Sequence, residues 1–162
     1  MCEFQRVSDR ELVETAKALA LEWRRRFARL LPITEELGEL LACQQLGLER
    51  MPPGNRGFDA RDAQGTYQIK ARAPQRTRRV VTQGRVGRFQ NYDFDYALLV
   101  LLDDQLELHE IWKASVKAVE HAQIQELNPK HGIGVSKFKN LDAREKVYPK
   151  PSSAGTGTSG GA

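Results

Sequence analysis

The sequence predicts an α/β fold in which helices flank a mixed central β-sheet. Apolar residues recur at helical spacing over Leu12–Leu46, and from Phe58 the spacing changes to the period of two that β-strands require. The apolar run Tyr96–Leu102 has the composition of a central strand that is buried on both faces. With 162 residues, of which 40% are hydrophobic and 28% charged, the chain suits one folded domain. We therefore expect a single domain over residues 1–148.

Two helices are predicted before the strands begin. A capping-box pattern at Ser8 starts the first helix, and the apolar spacing continues this helix over Asp9–Leu31. Pro32 breaks it. Thr34 is predicted to cap a second helix over Thr34–Leu46, which Gly47 then ends.

The strands follow, joined by turns. A hairpin with its turn at Asp62–Gly65 links a strand over Gly57–Arg61 to one over Thr66–Arg72. In the second strand Tyr67, Ile69 and Ala71 should share one face, because side chains alternate along a strand. Further along we predict a strand over Leu106–Trp112, a helix over Lys113–Ala122, a short strand over His131–Lys139 and a disordered Pro-, Ser-, Gly- and Thr-rich tail over residues 149–162.

Composition excludes several classes of protein. The two cysteines, Cys2 and Cys43, are too few for a disulfide framework or a zinc knuckle. No apolar run reaches the roughly 18 residues of a membrane helix, and the N-terminal residues lack the apolar stretch of a signal peptide. We expect a cytoplasmic protein that has no membrane partner.

One segment concentrates positive charge. No acidic residue occurs between Asp62 and Asp93, whereas the segment carries seven cations, six of them arginines. The planar fork of arginine suits phosphate, and Gly, Gln, Asn and aromatic residues are interleaved with the cations. The segment therefore predicts a nucleic-acid partner, although a solvated loop is the plain alternative. The residues expected to contact the phosphate backbone are Arg72, Arg76, Arg78, Arg79, Arg85 and Arg88.

The predicted hairpin carries a set of residues suited to phosphodiester hydrolysis. Asp59 lies in the first strand, and Gln68 and Lys70 lie two positions apart in the second, so a tight hairpin brings the three side chains to one side of a small sheet. A hard cation takes carboxylate, amide and main-chain oxygens as ligands. A nearby ammonium can hold the attacking water and offset the charge that grows on phosphorus.

The order of these residues resembles the PD-(D/E)XK nuclease superfamily, which has the restriction-endonuclease-like fold, and in particular its small Mrr-like bacterial members. Asp59, Gln68, Ile69 and Lys70 stand where the signature has its Asp, its acid or amide, one free position and its Lys. Glu39 matches the helical Glu that commonly precedes them. The resemblance implies a restriction-endonuclease-like core over residues 34–122. It also implies Mg²⁺ or Mn²⁺ as cofactor, with Asp59, Gln68, the Ile69 carbonyl and Glu39 as ligands.

Glu39 is preferred over its neighbours Glu35 and Glu36. Those two have a sufficient explanation as first-turn acids that the helix dipole favours. Glu39 shares a helical stripe with Cys43 and should be partly shielded. Gly38 costs a helix about 1 kcal/mol relative to Ala, which indicates a close backbone approach at this point.

We therefore expect a metal-dependent, endonuclease-like phosphodiesterase that acts on DNA. Many relatives of the fold cut both strands as dimers, so a homodimer is one possible assembly. Two alternatives stay open. The first is a nucleic-acid-binding module on the same fold without catalysis, which the neutral Gln68 favours. The second is an interaction domain whose arginine face binds an acidic protein.

Overall fold

The computed structural model of the protein describes residues 6–29, 31–76, 81–82 and 84–149. They form an α/β fold with a mixed central sheet, as the sequence predicts. The helices are α1 (Asp9–Phe27), α2 (Thr34–Leu46), α3 (Val116–Ile124) and α4 (Val135–Phe138), with a short 3-10 helix at Pro129–His131. The strands are β1 (Glu49–Arg50), β2 (Ala60–Arg61), β3 (Thr66–Arg72), β4 (Gln75–Arg76), β5 (Val81–Thr82), β6 (Arg85–Gly87), β7 (Tyr96–Leu102), β8 (Leu108–Ser115), β9 (Ile133–Gly134) and β10 (Glu145–Tyr148).

The central sheet has six strands in the order β1-β2-β3-β7-β8-β10. Strands β3 and β7 run parallel, and all other neighbours in this sheet run antiparallel. Two small sheets, β4 with β5 and β6 with β9, lie outside it. The parallel pair needs a long crossover, and the segment between β3 and β7 contains most of the predicted arginine set.

Strand β7 is buried on both faces, which confirms the prediction for Tyr96–Leu102. Its side chains divide between two apolar clusters. Leu98 and Val100 pack with residues of α1, α2 and β3, whereas Leu99 and Leu101 pack with residues of α3, α4 and β6. The sheet is therefore the middle of three layers.

The boundaries of the first two helices follow the sequence closely, with two corrections. Helix α2 has the predicted bounds and ends at Gly47 in the left-handed conformation, with φ 68°. Helix α1 ends at Phe27 rather than Leu31, because Ala28 adopts the left-handed conformation and its N–H bonds back to Arg24. Thr34 does not cap α2: the capping position is Ile33, which has no side-chain oxygen to offer.

The second half of the chain needs larger corrections. Strand β8 continues to Ser115, and the predicted helix at Lys113–Ala122 begins only at Val116, because the Ser115 hydroxyl caps it. The predicted strand His131–Lys139 is wrong beyond β9, since Val135 and Phe138, one helical turn apart, bury their side chains as part of α4. Strands β1, β4, β5, β6 and β10 were not predicted, and the strand predicted over Gly57–Arg61 is limited to β2, so that Asp59 lies in the loop before it. From residue 150 onward the predicted tail lies outside the described residues.

None of the helices in the described ranges has the length and apolarity needed to cross a membrane.

Helix α2 packs on β3 where each element has a small residue, Gly38 in the helix and Ala71 in the strand. A Cβ added to Gly38 would lie 2.2 Å from the Cβ of Ala71, much closer than two non-bonded carbon atoms can approach. The absence of a side chain at Gly38 therefore allows α2 to reach the sheet. This confirms the close backbone approach expected at Gly38.

We predict that Gly38→Ala destabilises the fold by about 1–3 kcal/mol, the usual cost of overpacking a core. A loss of stability would distinguish this contact from an ordinary helix position, because Gly→Ala in a helix interior otherwise stabilises by about 1 kcal/mol. Chemical denaturation measures the free energy of unfolding. The double variant Gly38→Ala with Ala71→Gly moves the methyl group to the helix, and it should be more stable than Gly38→Ala alone. A stabilised Gly38→Ala protein would contradict the assigned contact.

Candidate functional site

A polar cleft of about 200 Å³ opens between the first turns of α2 and the loop that leads into β2. Its walls include Glu36 and Glu39 of α2, Arg50 of β1, and Asn55 and Asp59 of the loop. The contact between α2 and β3 brings the helical acids to this position. Two of the predicted site residues, Glu39 and Asp59, thus line one cleft.

The hairpin positions Asp59 beside the start of β3. Ala60 pairs with Tyr67 across the hairpin, so Asp59 stands next to Gln68. Oδ2 of Asp59 accepts a hydrogen bond from the main-chain N–H of Ile69 at 2.6 Å and a short one from the side-chain amide of Gln68. The predicted neighbourhood of Asp59, Gln68 and Ile69 is therefore present.

Glu39 is held by an arginine that sequence reasoning missed. Arg50 Nε lies 2.6 Å from Oε1 of Glu39, and Arg50 Nη2 lies 2.5 Å from Oε2 of Glu36. The Glu39 side chain is 20% exposed and that of Glu36 is 77% exposed, which agrees with the predicted shielding of Glu39. Arg50 follows Glu39 by eleven residues in the sequence, and no local pattern reveals that β1 turns back toward α2.

Burial makes two carboxylates of the cleft, Asp59 and Glu39, harder to ionise. Burial raises the pKa of Asp59, against the opposing effects of the Ile69 N–H and the Lys70 charge. Burial also raises the pKa of Glu39, where Arg50 opposes the shift and Asp59 adds to it. Since each pKa is higher in the folded chain than in the unfolded chain, ionisation costs stability at neutral pH, and the cost disappears as the pH falls through the raised pKa. A cation in the cleft would reduce the same cost.

Lys70 lies in a second cleft of about 250 Å³. This cleft is lined by Gln68, Lys70, Arg88, Phe89, Gln90 and Asn91. The side chains of β3 alternate as predicted, so that Gln68 and Lys70 share a face. Arg88 is exposed and forms no ion pair or hydrogen bond with any described residue. Gln68 thus lines the cleft that contains Lys70 and Arg88, and it also contacts Asp59 of the acidic first cleft.

Unlike Arg88, the predicted phosphate contacts Arg72 and Arg85 are bonded to other groups of the protein. The guanidinium of Arg72 lies 2.7 Å from Glu35 and also donates to main-chain carbonyls of Ala71, Arg85 and Val86. The guanidinium of Arg85 lies 2.6 Å from Glu126 and donates to the carbonyls of His131 and Gly132. Both side chains connect elements within the fold. The main chain of Arg76 lies in β4, and Arg78 and Arg79 lie outside the described residues.

Carboxylate oxygens such as those of Asp59 and Glu39 are the type of ligand that a hard divalent cation such as Mg²⁺ takes. Oδ1 of Asp59 and Oε2 of Glu39 accept no hydrogen bond from the described part of the chain. To bind the same cation as Asp59, Gln68 would have to rotate its side-chain amide so that the carbonyl oxygen, and not the N–H₂ group, points to the cation. Among the described residues, no group of three or more His, Cys, Asp or Glu side chains is arranged to hold a metal ion. The predicted set has two carboxylates, Asp59 and Glu39, and completes its ligands with the Gln68 amide and the Ile69 carbonyl.

Comparison of the chain with known protein families gave no match, and no curated protein matches it. The resemblance to the PD-(D/E)XK superfamily therefore depends on the residues of the cleft and their order, and it stays a prediction.

We predict that Gln68→Glu makes the stability of the fold depend on divalent cations. Without a cation the variant should lose about 1–3 kcal/mol of unfolding free energy, because buried Asp59 loses a donor and faces a second carboxylate. Added Mg²⁺ or Mn²⁺ should raise its melting temperature more than that of the wild type, since a third negative charge strengthens cation binding. Differential scanning calorimetry with and without the metal measures this.

Gln64→Glu is the matched control, because it introduces the same charge at an exposed position of the hairpin turn. Its melting temperature should respond to Mg²⁺ as the wild type does. An equal response of the two variants would mean that residue 68 does not face a cation site.

Proposed function

We propose that the chain is a metal-dependent nuclease of the PD-(D/E)XK class, with a restriction-endonuclease-like core, that hydrolyses phosphodiester bonds of DNA. One observation carries the proposal: Glu39 and Asp59 face a common cleft, Gln68 contacts Asp59, and Lys70 follows two positions along the same strand. The order of these residues along the chain is that of the nuclease signature.

In the proposed site Asp59, Glu39, the Gln68 amide and the Ile69 carbonyl would hold Mg²⁺ or Mn²⁺. When bound, such a cation acts as a Lewis acid that stabilises negative charge on the phosphoryl oxygens. The Ile69 N–H keeps Asp59 oriented through its bond to Oδ2. Arg50 would release Glu39, and its guanidinium would then be available to pair with Glu36 alone or with a phosphate oxygen.

Lys70 is the proposed positioning group for the attacking water. Its ammonium can hold the water and compensate for the negative charge that develops in the transition state. Arg88, in the same cleft as Lys70, would bind a phosphate beside the scissile one. Gln90 and Asn91 add amide groups that can bond to sugar or phosphate oxygens.

The test is cleavage of plasmid and single-stranded DNA with Mg²⁺ or Mn²⁺. Asp59→Asn keeps a side-chain oxygen for the Ile69 N–H but removes the charge, and Lys70→Met removes the ammonium. Each should lower the rate by about 100-fold or more, the usual effect of losing a charged group that acts in the transition state. A chelator should stop the wild-type reaction.

Lys117→Met is the control, because Lys117 is exposed on α3 and the variant has the same change of charge as Lys70→Met. It should cleave at the wild-type rate. Cleavage by Asp59→Asn that equals the wild type would overturn the catalytic assignment.

The second candidate is a nucleic-acid-binding module that has no catalytic activity. The observation that favours it is that both carboxylates already have partners within the protein: Gln68 donates a hydrogen bond to Asp59, and Arg50 pairs with Glu39 at 2.6 Å. Under this alternative, the wild type binds DNA with the same affinity in Mg²⁺ and in chelator and cleaves it in neither.

We predict that Arg88 contacts phosphate and that Arg85 does not. Each phosphate contact releases counterions, so Arg88→Ala should reduce the slope of log K against log salt by about 0.9 on duplex DNA. Arg85 is occupied by Glu126 and by main-chain carbonyls, so Arg85→Ala should lower stability and leave the slope unchanged. Fluorescence anisotropy at several salt concentrations measures both. An unchanged slope in Arg88→Ala would mean that Arg88 does not contact phosphate.

A further inference from the structure

Helix α1 carries a stripe of large apolar side chains that is not covered by the described part of the chain. Leu12, Leu19, Trp23 and Phe27 are 48%, 58%, 40% and 55% exposed. Single exposed apolar residues are common, but these four follow one line along the helix, with Ala16 between them. The rings of Trp23 and Phe27 contact each other, with centroids 4.5 Å apart. A contiguous patch of this kind marks an interaction surface.

A different face of α1 packs against the protein and holds the stripe outward. Ala20 lies in the core, and buried Lys17 has its ammonium 2.9 Å from Glu107. Arg24 donates to the main-chain carbonyl of Asp104. These contacts fix the rotation of the helix about its axis. The stripe is therefore a second apolar face beside the one that builds the core.

The spacing of the stripe suits packing against another helix. Leu12, Ala16, Leu19 and Trp23 follow each other at intervals of four, three and four residues, which is the spacing of a two-helix seam. The C-terminal residues 150–162 do not fit this surface, because they contain no Leu, Ile, Val, Met, Phe, Tyr or Trp.

The distribution of charge along α1 favours a second, antiparallel copy of the same helix as its partner. Its first turn carries the acids Asp9 and Glu11 beside Arg10, and its last turn carries Arg24, Arg25 and Arg26, of which the last two also pair with Glu22 of the same helix. An antiparallel copy of the same helix would bring each acidic end against a basic end, whereas a parallel copy would oppose like charges. In the antiparallel register that is centred near Leu19, Trp23 meets the small Ala16 and Phe27 meets Leu12.

We propose that α1 is a homodimer interface, in which the stripe packs antiparallel against the stripe of a second copy of this chain. A two-fold interface must be complementary to itself, and both the charge pattern and the pairing of Trp23 with Ala16 meet this requirement. The surface is separate from the cleft at Asp59, and the proposal does not depend on nuclease activity.

Sedimentation equilibrium of the full chain tests the proposal. The wild type should show a monomer–dimer equilibrium that depends on protein concentration. Leu19→Glu should raise the dimer Kd by about 100-fold or more, because the carboxylates of both copies lie near the two-fold axis without a cation. Ala18→Glu introduces the same charge at the neighbouring exposed position, off the stripe, and should leave the Kd unchanged. Thermal unfolding verifies that both variants are folded.

Oxidative cross-linking tests the direction of the helices, in a Cys2→Ser background. A mixture of Leu12→Cys and Phe27→Cys proteins should form a disulfide-linked heterodimer, and Leu12→Cys alone should not cross-link. A wild type that is monomeric at every concentration would overturn the proposal, and so would equal dissociation of Leu19→Glu and Ala18→Glu. A monomeric wild type that binds vesicles of anionic lipid would assign the stripe to a membrane surface instead.

Discussion

The contact between Gly38 and Ala71 is the constraint on which the candidate site depends. With no Cβ on Gly38, helix α2 lies directly on β3, the strand that carries Gln68 and Lys70. Glu39 is the next residue of α2, so the depth of this contact sets its distance from Asp59 and its burial. A larger residue at position 38 would lift the helix away from the sheet. The core and the cleft thus share one packing requirement.

The negative charge of the cleft is only partly compensated within the protein, because Glu36, Glu39 and Asp59 share the cleft with one cation, Arg50. Two carboxylates whose pKa is raised by burial, Asp59 and Glu39, are compensated by Arg50 and by hydrogen bonds from Gln68 and Ile69. This arrangement permits two functions. A divalent cation could replace the internal compensation, or the compensation could be permanent in a module that binds nucleic acid. The same geometry is therefore compatible with both proposals, and the effect of divalent metal on DNA binding and cleavage distinguishes them.

The arginine-rich segment shows how a charge pattern in sequence differs from a charged surface. The acid-free run is divided among several strands, and its cations have different roles. Arg72 and Arg85 bond to carbonyls and to acids from distant parts of the chain, whereas Arg88 lies exposed beside Lys70. Acidic residues outside the run thus neutralise part of its charge.

The sequence by itself determined the class of fold, the bounds of α2, the double burial of β7 and the meeting of Asp59 with Gln68. These features follow from local periodicity and from the geometry of a hairpin, which involve residues close together in the chain. Only the tertiary structure decided that Arg50 lies between Glu36 and Glu39, and that α1 keeps an apolar stripe outside the core. The physical reason is that such contacts join residues far apart in sequence, and their partners are selected by the packing of whole layers.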